Sequence, residues 1–366
     1  MKTMKELKTK LENEIKKCSH VFIVGHNEPD LDAIGSAIGL CTLASCYKKP
    51  SSIIVDDEPS KIDSSTKKVI DDCSSKIDII NKKTALEMAN SNSLLILTDV
   101  NKKDMISLGD DVYKFKKIIV IDHHSENHNT VKTNGKFIRE DISSASEIVT
   151  NILNMSKINY DSTVANYLLA GINLDTKRFK QNVTEDTHDT AEKLLHHGAD
   201  IDYVNNLFLE EFESFCRISN LIINGTIIKK YSESLLTPIQ VSFTLDRNNP
   251  KSIYRKEDYA KAADRMMKFY GIDASFALGF VEPGVVHVSA RSSAQNGQKK
   301  TKVNVGTIMN HMKGGGNPQS AGCRVKTDNL LSLENDLMKL IPYGLSEKED
   351  IIEEPPVIKR KQIKRK

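Results

Sequence analysis

A run of apolar residues that ends in three polar ones constrains the fold of this chain more than any other feature. The residues from Ile118 to Ile121 are all β-branched and apolar, which is typical of a strand buried inside a sheet. Asp122, His123 and His124 follow at once. In open α/β sheets ligands collect at the carboxyl ends of strands, so these side chains are candidates for binding a metal. Alone, the triplet is weak evidence, because a turn-capping aspartate beside two surface histidines would look the same.

Other apolar segments end in the same way. Strands are predicted at Val21–Val24, Ser52–Val55 and Leu94–Thr98, and helix-length segments separate them, so the pattern predicts a parallel α/β sheet. Polar residues follow three of these apolar segments. His26, Asp30 and Asp32 come after the first strand, Asp99 after the Leu94–Thr98 strand, and Asp175 after the apolar helix Asn166–Gly171. Acids at the ends of several apolar segments are hard to explain by structure alone.

Five aspartates and three histidines would repel or crowd one another at one sheet edge unless cations lay between them. Carboxylate and imidazole ligands suit Mn²⁺, Mg²⁺ or Fe²⁺, and eight candidate ligands are too many for one ion. Two ions that share a bridging aspartate are the economical solution, and such pairs catalyse phosphoester hydrolysis. Each residue also has a structural interpretation: Asp30 and Asp32 as N-caps of a helix over Ala33–Ser45, His26 in a turn, and Asp99 and Asp175 as loop acids.

The chain of 366 residues is long enough for two domains. Near Gly225 the pattern changes from strands separated by helix-length segments to short strands of alternating apolar and polar residues. We predict a catalytic domain over residues 1–205, a linker helix over 206–224 (Leu207–Ile223), a smaller α+β domain over 225–342 and a disordered tail over 343–366. The smaller domain is predicted to contain strands at Gln240–Leu245, Ala274–Phe280 and Val285–Ala290, with a helix at Lys256–Tyr270.

Two features of the smaller domain are suited to binding an anion. Arg291 follows an alternating apolar strand beside Ser292, and a guanidinium makes forked bonds to phosphate, although a surface ion pair is about as good an interpretation. The turn Gly314-Gly315-Gly316, followed by Asn317, offers backbone N–H groups that could hold an anion. A flexible surface loop is the simpler interpretation of that turn.

Composition excludes several classes of protein. The formal net charge is +3, but the tail Lys359–Lys366 carries six Lys and Arg residues and no acids, so the remainder is mildly acidic, which argues against a large nucleic-acid-binding face. The tail itself could contact nucleic acid or an anionic surface, although such ends are more often solvated.

No Cys-x-x-Cys pair, signal peptide or membrane-length apolar run is present, so we expect a cytoplasmic protein without stable membrane insertion.

Taken in order, the motifs resemble the DHH phosphoesterase superfamily with its DHH-associated C-terminal domain. The segments that carry the resemblance are Gly25–Ala37, Thr98–Val100, Ile121–His124 and Gly171–Thr176. Within the superfamily, four segments are most similar to the catalytic module of GdpP-type cyclic-di-AMP phosphodiesterases: His26–Ala37, Ser144–Glu147, Asp175–Phe179 and Val288–Ser292. The fold class implied is α/β, with a parallel-sheet DHH domain and a smaller α+β domain across a cleft.

The resemblance also implies roles for individual residues. It implies two Mn²⁺ ions, with Mg²⁺ also permitted by the ligands; one ion is held by His26, Asp30 and Asp99, and the other by Asp32, Asp99, His123 and Asp175. Asp122 would orient the histidines, and His124 would lie near the scissile phosphate. The residues implied to bind substrate phosphate are Arg291 and Ser292, together with Gly314, Gly315, Gly316 and Asn317.

The implied substrate is cyclic-di-AMP or its linear product pApA. The alternatives are an oligoribonuclease that also acts on 3′-phosphoadenosine 5′-phosphate, a nucleotide-binding sensor that has lost turnover, and a nucleic-acid binder directed by the basic tail. Asn317 stands where the family's glycine motif continues with histidine, which bears on specificity and rate. Relatives are often homodimers, so a homodimer is possible here. GdpP-type proteins usually carry membrane spans and regulatory domains ahead of this module, and this sequence shows neither feature.

Overall fold

A computed structural model describes residues 1–56, 58, 62–133, 135–230, 239–293 and 301–345. The chain divides into two compact units, and the division falls between Leu209 and Glu210. The basic segment Lys359–Lys366 lies outside the described residues. Of the tail predicted to be disordered, residues 343–345 are described and ordered, because Leu345 packs on the core of the second unit and forms a bridge with Val303.

The described part of the first unit is a sheet of six strands with eight α-helices around it. In chain order the elements are α1 (Met4–Lys17), β1 (Val21–Val24), α2 (Leu31–Cys46), β2 (Ser51–Ile54), α3 (Ser64–Cys73), β3 (Asp78–Ile80), α4 (Lys82–Met88), β4 (Leu94–Thr98), β5 (Lys117–Asp122), β6 (Gly135–Ile138), α5 (Ala145–Met155), α6 (Ser162–Asp175), α7 (Glu185–His196) and α8 (Ile201–Leu207). Short 3₁₀ helices lie at Lys103–Met105 and Gly109–Lys114.

All pairings in this sheet are parallel, as the sequence predicts, and the strand order is β3-β2-β1-β4-β5-β6. The chain moves outward from β1 to β3 and then crosses to the other side of β1 to form β4. The carboxyl ends of β1 and β4 therefore flank the point where the winding direction changes, which is where ligands bind in open α/β sheets. This topology places His26 and Asp99 next to each other.

The sheet is buried on both faces, which explains why its strands read as unbroken apolar runs. In β1, Val21 and Ile23 belong to one apolar cluster, while Phe22 and Val24 belong to the other. The first cluster also contains the inner faces of α1, α2, α5 and α6. Helix α2 is buried almost all round, consistent with its lack of a polar stripe.

The second unit, described over 210–230, 239–293 and 301–345, contains a second six-stranded sheet. Its elements are α9 (Phe212–Ile223), β7 (Thr226–Lys230), β8 (Ile239–Thr244), α10 (Lys256–Met266), β9 (Ala274–Glu282), β10 (Val285–Ser292), α11 (Val305–His311), β11 (Gly315–Gly316), β12 (Ser320–Lys326) and α12 (Leu330–Leu340), with a 3₁₀ helix at Ile341–Gly344. The strand order is β11-β12-β10-β9-β8-β7, and only the β8–β9 pair is parallel among these described strands.

One face of this sheet packs on α11 and α12 and the other on α9 and α10. The prediction of one linker helix over Leu207–Ile223 is wrong, since α8 ends at Leu207 and α9 begins at Phe212. Leu209 is 72% exposed, so no burial holds the intervening turn in a continuous helix. Helix α9 belongs to the second unit, where Leu221 clusters with Tyr259.

None of the helices in the described parts of the chain combines the length and apolar character needed to cross a bilayer.

Candidate metal centre

The loop after β1 places His26 and Asp30 at the switch point of the sheet. Asp30 is the N-cap of α2, because its Oδ1 accepts hydrogen bonds from the N–H groups of Asp32 at 2.9 Å and Ala33 at 3.1 Å. Its second oxygen lies 3.5 Å from His26 Nε2. One oxygen of Asp30 therefore caps the helix, as the structural interpretation predicts, while the other faces the cluster.

Asp99 lies between the histidines of two strand ends. It follows β4 with a backbone φ of +58°, a left-handed conformation that is uncommon for a residue other than glycine. Its carboxylate is buried, with Oδ2 at 3.5 Å from His26 Nε2 and Oδ1 at 3.3 Å from His123 Nε2. Strained backbone of this kind costs about 1–3 kcal/mol and is concentrated at functional sites. The conformation aims the Asp99 carboxylate between the two imidazoles.

His123 is surrounded by carboxylates from three elements. Its Nε2 lies 2.9 Å from Asp175 Oδ2, at the last residue of α6, and 4.0 Å from Asp32 Oδ2. Asp32 is fully buried, and its two oxygens accept hydrogen bonds from the backbone N–H groups of Ala145 at 2.7 Å and Ser146 at 2.8 Å. The end of one helix and the start of another thus complete the group.

The six residues predicted as metal ligands come together in two groups that share Asp99. In each group the candidate ligand atoms lie within 4.8 Å of one another, and the groups are His26, Asp30 and Asp99, and Asp32, Asp99, His123 and Asp175. Asp99 Oδ1 and His123 Nε2 are buried without a hydrogen bond of good geometry among the described residues. Buried polar atoms without partners are rare, and here carboxylate and imidazole donors fit a hard or borderline divalent cation.

The pKa shifts within the cluster also fit a bound cation. Burial opposes charging of His26, but the carboxylates of Asp30 and Asp99 outweigh it and raise the pKa of His26 to about 12. Against the same burial, Asp175 and Asp99 raise the pKa of His123 to about 11. Burial, reinforced by the negative charge of Asp99, raises the pKa of the Asp32 carboxyl. The cluster gathers more negative charge than it can hold unless protons or cations are present.

A third group of nearby residues is Asp99, Asp122, His123 and His124, but Asp122 is fully occupied by hydrogen bonds. Its Oδ1 accepts from His124 Nδ1 at 2.9 Å and from the N–H of His123 at 2.8 Å. Its Oδ2 accepts from Asn101 Nδ2 at 2.6 Å. Asp122 therefore holds the ring of His124 and the backbone of His123, while the side chain of His124 remains about half exposed. Sequence reasoning missed Asn101, which no periodicity or motif distinguishes from other loop asparagines.

In the second unit, Arg291 and Ser292 lie at the end of β10. The Arg291 guanidinium donates from Nε to Asp264 Oδ1 at 2.9 Å and from one terminal nitrogen to the Ala290 carbonyl at 3.0 Å. The surface ion pair that the sequence left open as an interpretation is thus present. Ser292 is buried, and its hydroxyl has no hydrogen-bond partner within the described ranges.

The glycine segment is not a flexible loop. Gly315–Gly316 form β11 and pair with β12, and the Gly314 N–H donates to the Met309 carbonyl at 2.9 Å, so it is not free to hold an anion as predicted. A side chain at Gly314 would approach the Gly322 carbonyl to 2.3 Å, which explains why glycine is needed there. Asn317 Oδ1 accepts from the N–H groups of two following residues, Gln319 and Ser320, and so closes the turn.

Comparison with known proteins gives the same division of the chain. Residues 20–172 match the family model described as DHH family, N-terminal domain, and residues 237–341 match the DHHA1 domain. The cyclic-di-AMP phosphodiesterase GdpP of Bacillus subtilis is 29% identical over 329 residues, or 86% of this chain and 46% of GdpP. The chain therefore spans about half the length of this curated relative.

A probable manganese-dependent inorganic pyrophosphatase of Lactobacillus helveticus is 25% identical over 269 residues, covering 70% of this chain and 80% of that protein. Among solved structures, an exopolyphosphatase-related protein of Bacteroides fragilis has a TM-score of 0.74 at 19% identity, covering 93% of this chain and 97% of that one. This last likeness concerns the fold alone. The two family models match one after the other, so the chain contains a DHH domain followed by a DHHA1 domain.

Proposed function

We propose that this chain is a metal-dependent phosphodiesterase that hydrolyses cyclic-di-AMP, its linear product pApA, or both. The observation that carries the proposal is the convergence of His26, Asp30, Asp32, Asp99, His123 and Asp175 into two groups with one common carboxylate. The relative named a cyclic-di-AMP phosphodiesterase is similar over 86% of this chain, which supports the choice of substrate. The relative named a manganese-dependent pyrophosphatase supports Mn²⁺ over Mg²⁺.

The proposed ligands fall into two metal subsites. His26, Asp30 and Asp99 would hold one ion, and Asp32, Asp99, His123 and Asp175 the other. When bound, two such ions favour ionisation of an attacking water and stabilise the charge that develops on the phosphoryl oxygens. The chain's own contribution is to fix those ligands before substrate arrives, since displaced ligands would have to reorganise during the reaction.

His124 is the residue best suited to contact the substrate phosphate in this domain. Asp122 accepts a hydrogen bond from its Nδ1 at 2.9 Å, which fixes the ring and leaves Nε2 as the nitrogen able to face a ligand. In the DHHA1 domain, Arg291 supplies a fixed guanidinium suited to forked bonds with phosphate. Ser292, whose buried hydroxyl lacks a partner among the described residues, is the second candidate there.

Product analysis tests the proposal. The full chain is freed of metal by chelation, reloaded with Mn²⁺ or Mg²⁺, and incubated separately with cyclic-di-AMP, pApA and a five-nucleotide RNA, with a metal-free incubation as the control. Ring opening of cyclic-di-AMP that requires the metal supports the proposal in full. Cleavage of pApA without cleavage of RNA supports the linear-product form of the proposal, whereas cleavage of both pApA and RNA but not of cyclic-di-AMP favours the oligoribonuclease alternative. Tight nucleotide binding without turnover would overturn the proposal and favour a sensor.

A further inference from the structure

The start of helix α5 is bonded to the metal centre through Asp32. The first two N–H groups of α5, those of Ala145 and Ser146, donate to the two oxygens of the Asp32 carboxylate at 2.7 and 2.8 Å. Since Asp32 is fully buried, its direction is set by these donors and not by solvent. Any movement of the first turn of α5 would therefore move a candidate metal ligand.

A buried glutamate fixes that first turn from outside the helix. Glu147 is 2% exposed, and its Oε2 accepts from the Ser143 N–H at 3.2 Å, from the Ser143 hydroxyl, and from the Thr187 hydroxyl at 3.0 Å. Ser144 is the N-cap and accepts from the Glu147 N–H at 3.0 Å. In an ordinary capping box Glu147 would bond to the N–H of the cap residue itself. Here it bonds one residue earlier and reaches α7 through Thr187.

The atoms packed around Asp32 leave its carboxylate no room to move to a new position. A Cβ added to Gly171, on α6, would lie 2.7 Å from Asp32 Oδ1 and 2.2 Å from Ser146 Oγ. The Ser146 hydroxyl also lies 3.4 Å from the Asp32 carbonyl, to which it donates. Helices α2, α5 and α6 thus meet at Asp32 in close contact, so the carboxylate can adopt a new position only if one of the helices shifts.

We propose that Ser143, Glu147 and Thr187 are positioning residues for the second metal subsite, the one that contains Asp32. They hold the first turn of α5, and that turn aims the Asp32 carboxylate at the position shared with His123 and Asp175. The inference rests on the proposed two-metal centre and adds to it a connection that runs outward to α7. The residues touch neither substrate nor ion, and they act only through Asp32.

The test measures Mn²⁺ binding by titration calorimetry on the full, metal-free chain. Thr187→Val removes the hydroxyl that bonds to Glu147 and keeps the side-chain shape. The affinity of one of the two Mn²⁺ ions should fall by about tenfold or more, the usual effect of losing an outer-shell partner, while the other ion binds as in the wild type. Thr187→Ser restores the hydroxyl and should restore the affinity. If Thr187→Val fails to fold, Glu147→Gln takes its place, with the same expected direction.

Thr184→Val is the matched control. Thr184 caps α7: its hydroxyl accepts from the Thr187 N–H at 3.2 Å and lies 3.1 Å from the Thr187 hydroxyl, whose own proton goes to Glu147, and no bond among the described residues joins Thr184 to Glu147. This variant should lower the melting temperature of the chain and leave both Mn²⁺ affinities unchanged. Equal weakening of Mn²⁺ binding in Thr184→Val and Thr187→Val would show a merely structural role and overturn the inference, as would wild-type binding in Thr187→Val. A wild-type chain that binds no Mn²⁺ would overturn the proposed centre itself.

Discussion

The two domains differ in how the residues predicted to form the site are arranged. In the DHH domain the predicted residues converge from separate strand and helix ends, and buried atoms such as Asp99 Oδ1 and His123 Nε2 lack good hydrogen-bond partners among the described residues. In the DHHA1 domain Arg291 is bonded to Asp264, and Asn317 is bonded to its own turn. A parallel sheet with a switch point brings side chains from several strand ends to one edge, whereas in the largely antiparallel sheet Arg291 and Asn317 each find a partner within their own domain.

The largest effect is expected from the residue that the two groups of the DHH domain share. Asp99→Asn should lower kcat/KM on the identified substrate by at least about 1,000-fold, because a ligand common to both subsites serves both ions. Asparagine tolerates the left-handed backbone at this position, so the fold should survive. Metal content by mass spectrometry and steady-state kinetics check the outcome.

The matched control for that variant is Asp110→Asn. Asp110 is an exposed aspartate of the same domain, paired with Lys103, and it should have no effect on turnover. Retention of near-normal activity in Asp99→Asn would contradict the two-subsite arrangement and remove the contrast between the domains.

The DHH domain could be predicted in detail because its signals are local and repeated. The strands Val21–Val24 and Leu94–Thr98 were predicted with their observed bounds, since buried parallel strands read as apolar runs. The short edge strand Asp78–Ile80 was missed, because three partly exposed residues carry no pattern. The support for Asp32 from α5 was also out of reach, since it joins residues more than 110 positions apart.

In the DHHA1 domain the sequence predicted the central strands but not the use of their side chains. Strand β10 was predicted at nearly its observed bounds, yet the pairing of Arg291 with Asp264 depends on how α10 packs on the sheet. Helices α11 and α12 were missed, although Leu333 and Leu337 are buried at helical spacing. Predicting side-chain partners requires the packing arrangement, which propensity and periodicity do not supply.

The next largest effect concerns a buried histidine of the DHHA1 domain. Burial, with smaller contributions from the positive charges of Lys256, Arg324 and Arg291, lowers the pKa of His287 to about 4. The unfolded chain, with a histidine pKa near 6.5, binds more protons between these values, so stability falls as pH falls from about 6.5 towards 4. The loss should amount to at most about 3 kcal/mol, and it should be confined to this domain.

Alkylation of the buried Cys323, which pairs across the sheet with Val288, reports opening of the DHHA1 domain. Its rate, divided at each pH by the rate for the same thiol in the urea-unfolded chain to correct for the loss of thiolate in acid, should rise between pH 6.5 and 4.5 in the wild type and rise much less in His287→Gln. The exposed His311→Gln in the same domain serves as the control and should behave as the wild type. An identical pH response in all three chains would mean that His287 does not limit stability in acid.

Arg291 tests whether a residue already engaged in an ion pair also serves the substrate. Arg291→Ala should raise KM by about 10- to 100-fold, the value of a charged hydrogen bond to phosphate, with bound Mn²⁺ unchanged. Arg324→Ala, on neighbouring β12, is the control and should leave KM unchanged. Loss of metal in Arg291→Ala would instead indicate that the Arg291–Asp264 pair is structural.

The smallest effect is expected at Asn317. Asn317→His replaces a turn-closing amide with an imidazole, so the turn should lose about 1 kcal/mol of stability while gaining a donor for phosphate. We expect kcat/KM on the linear dinucleotide to rise by about tenfold. Asn317→Ala removes the turn bonds without adding a donor and should show no gain. A gain in both variants would trace the effect to a loosened turn, whereas a gain with histidine alone would attribute it to the added imidazole.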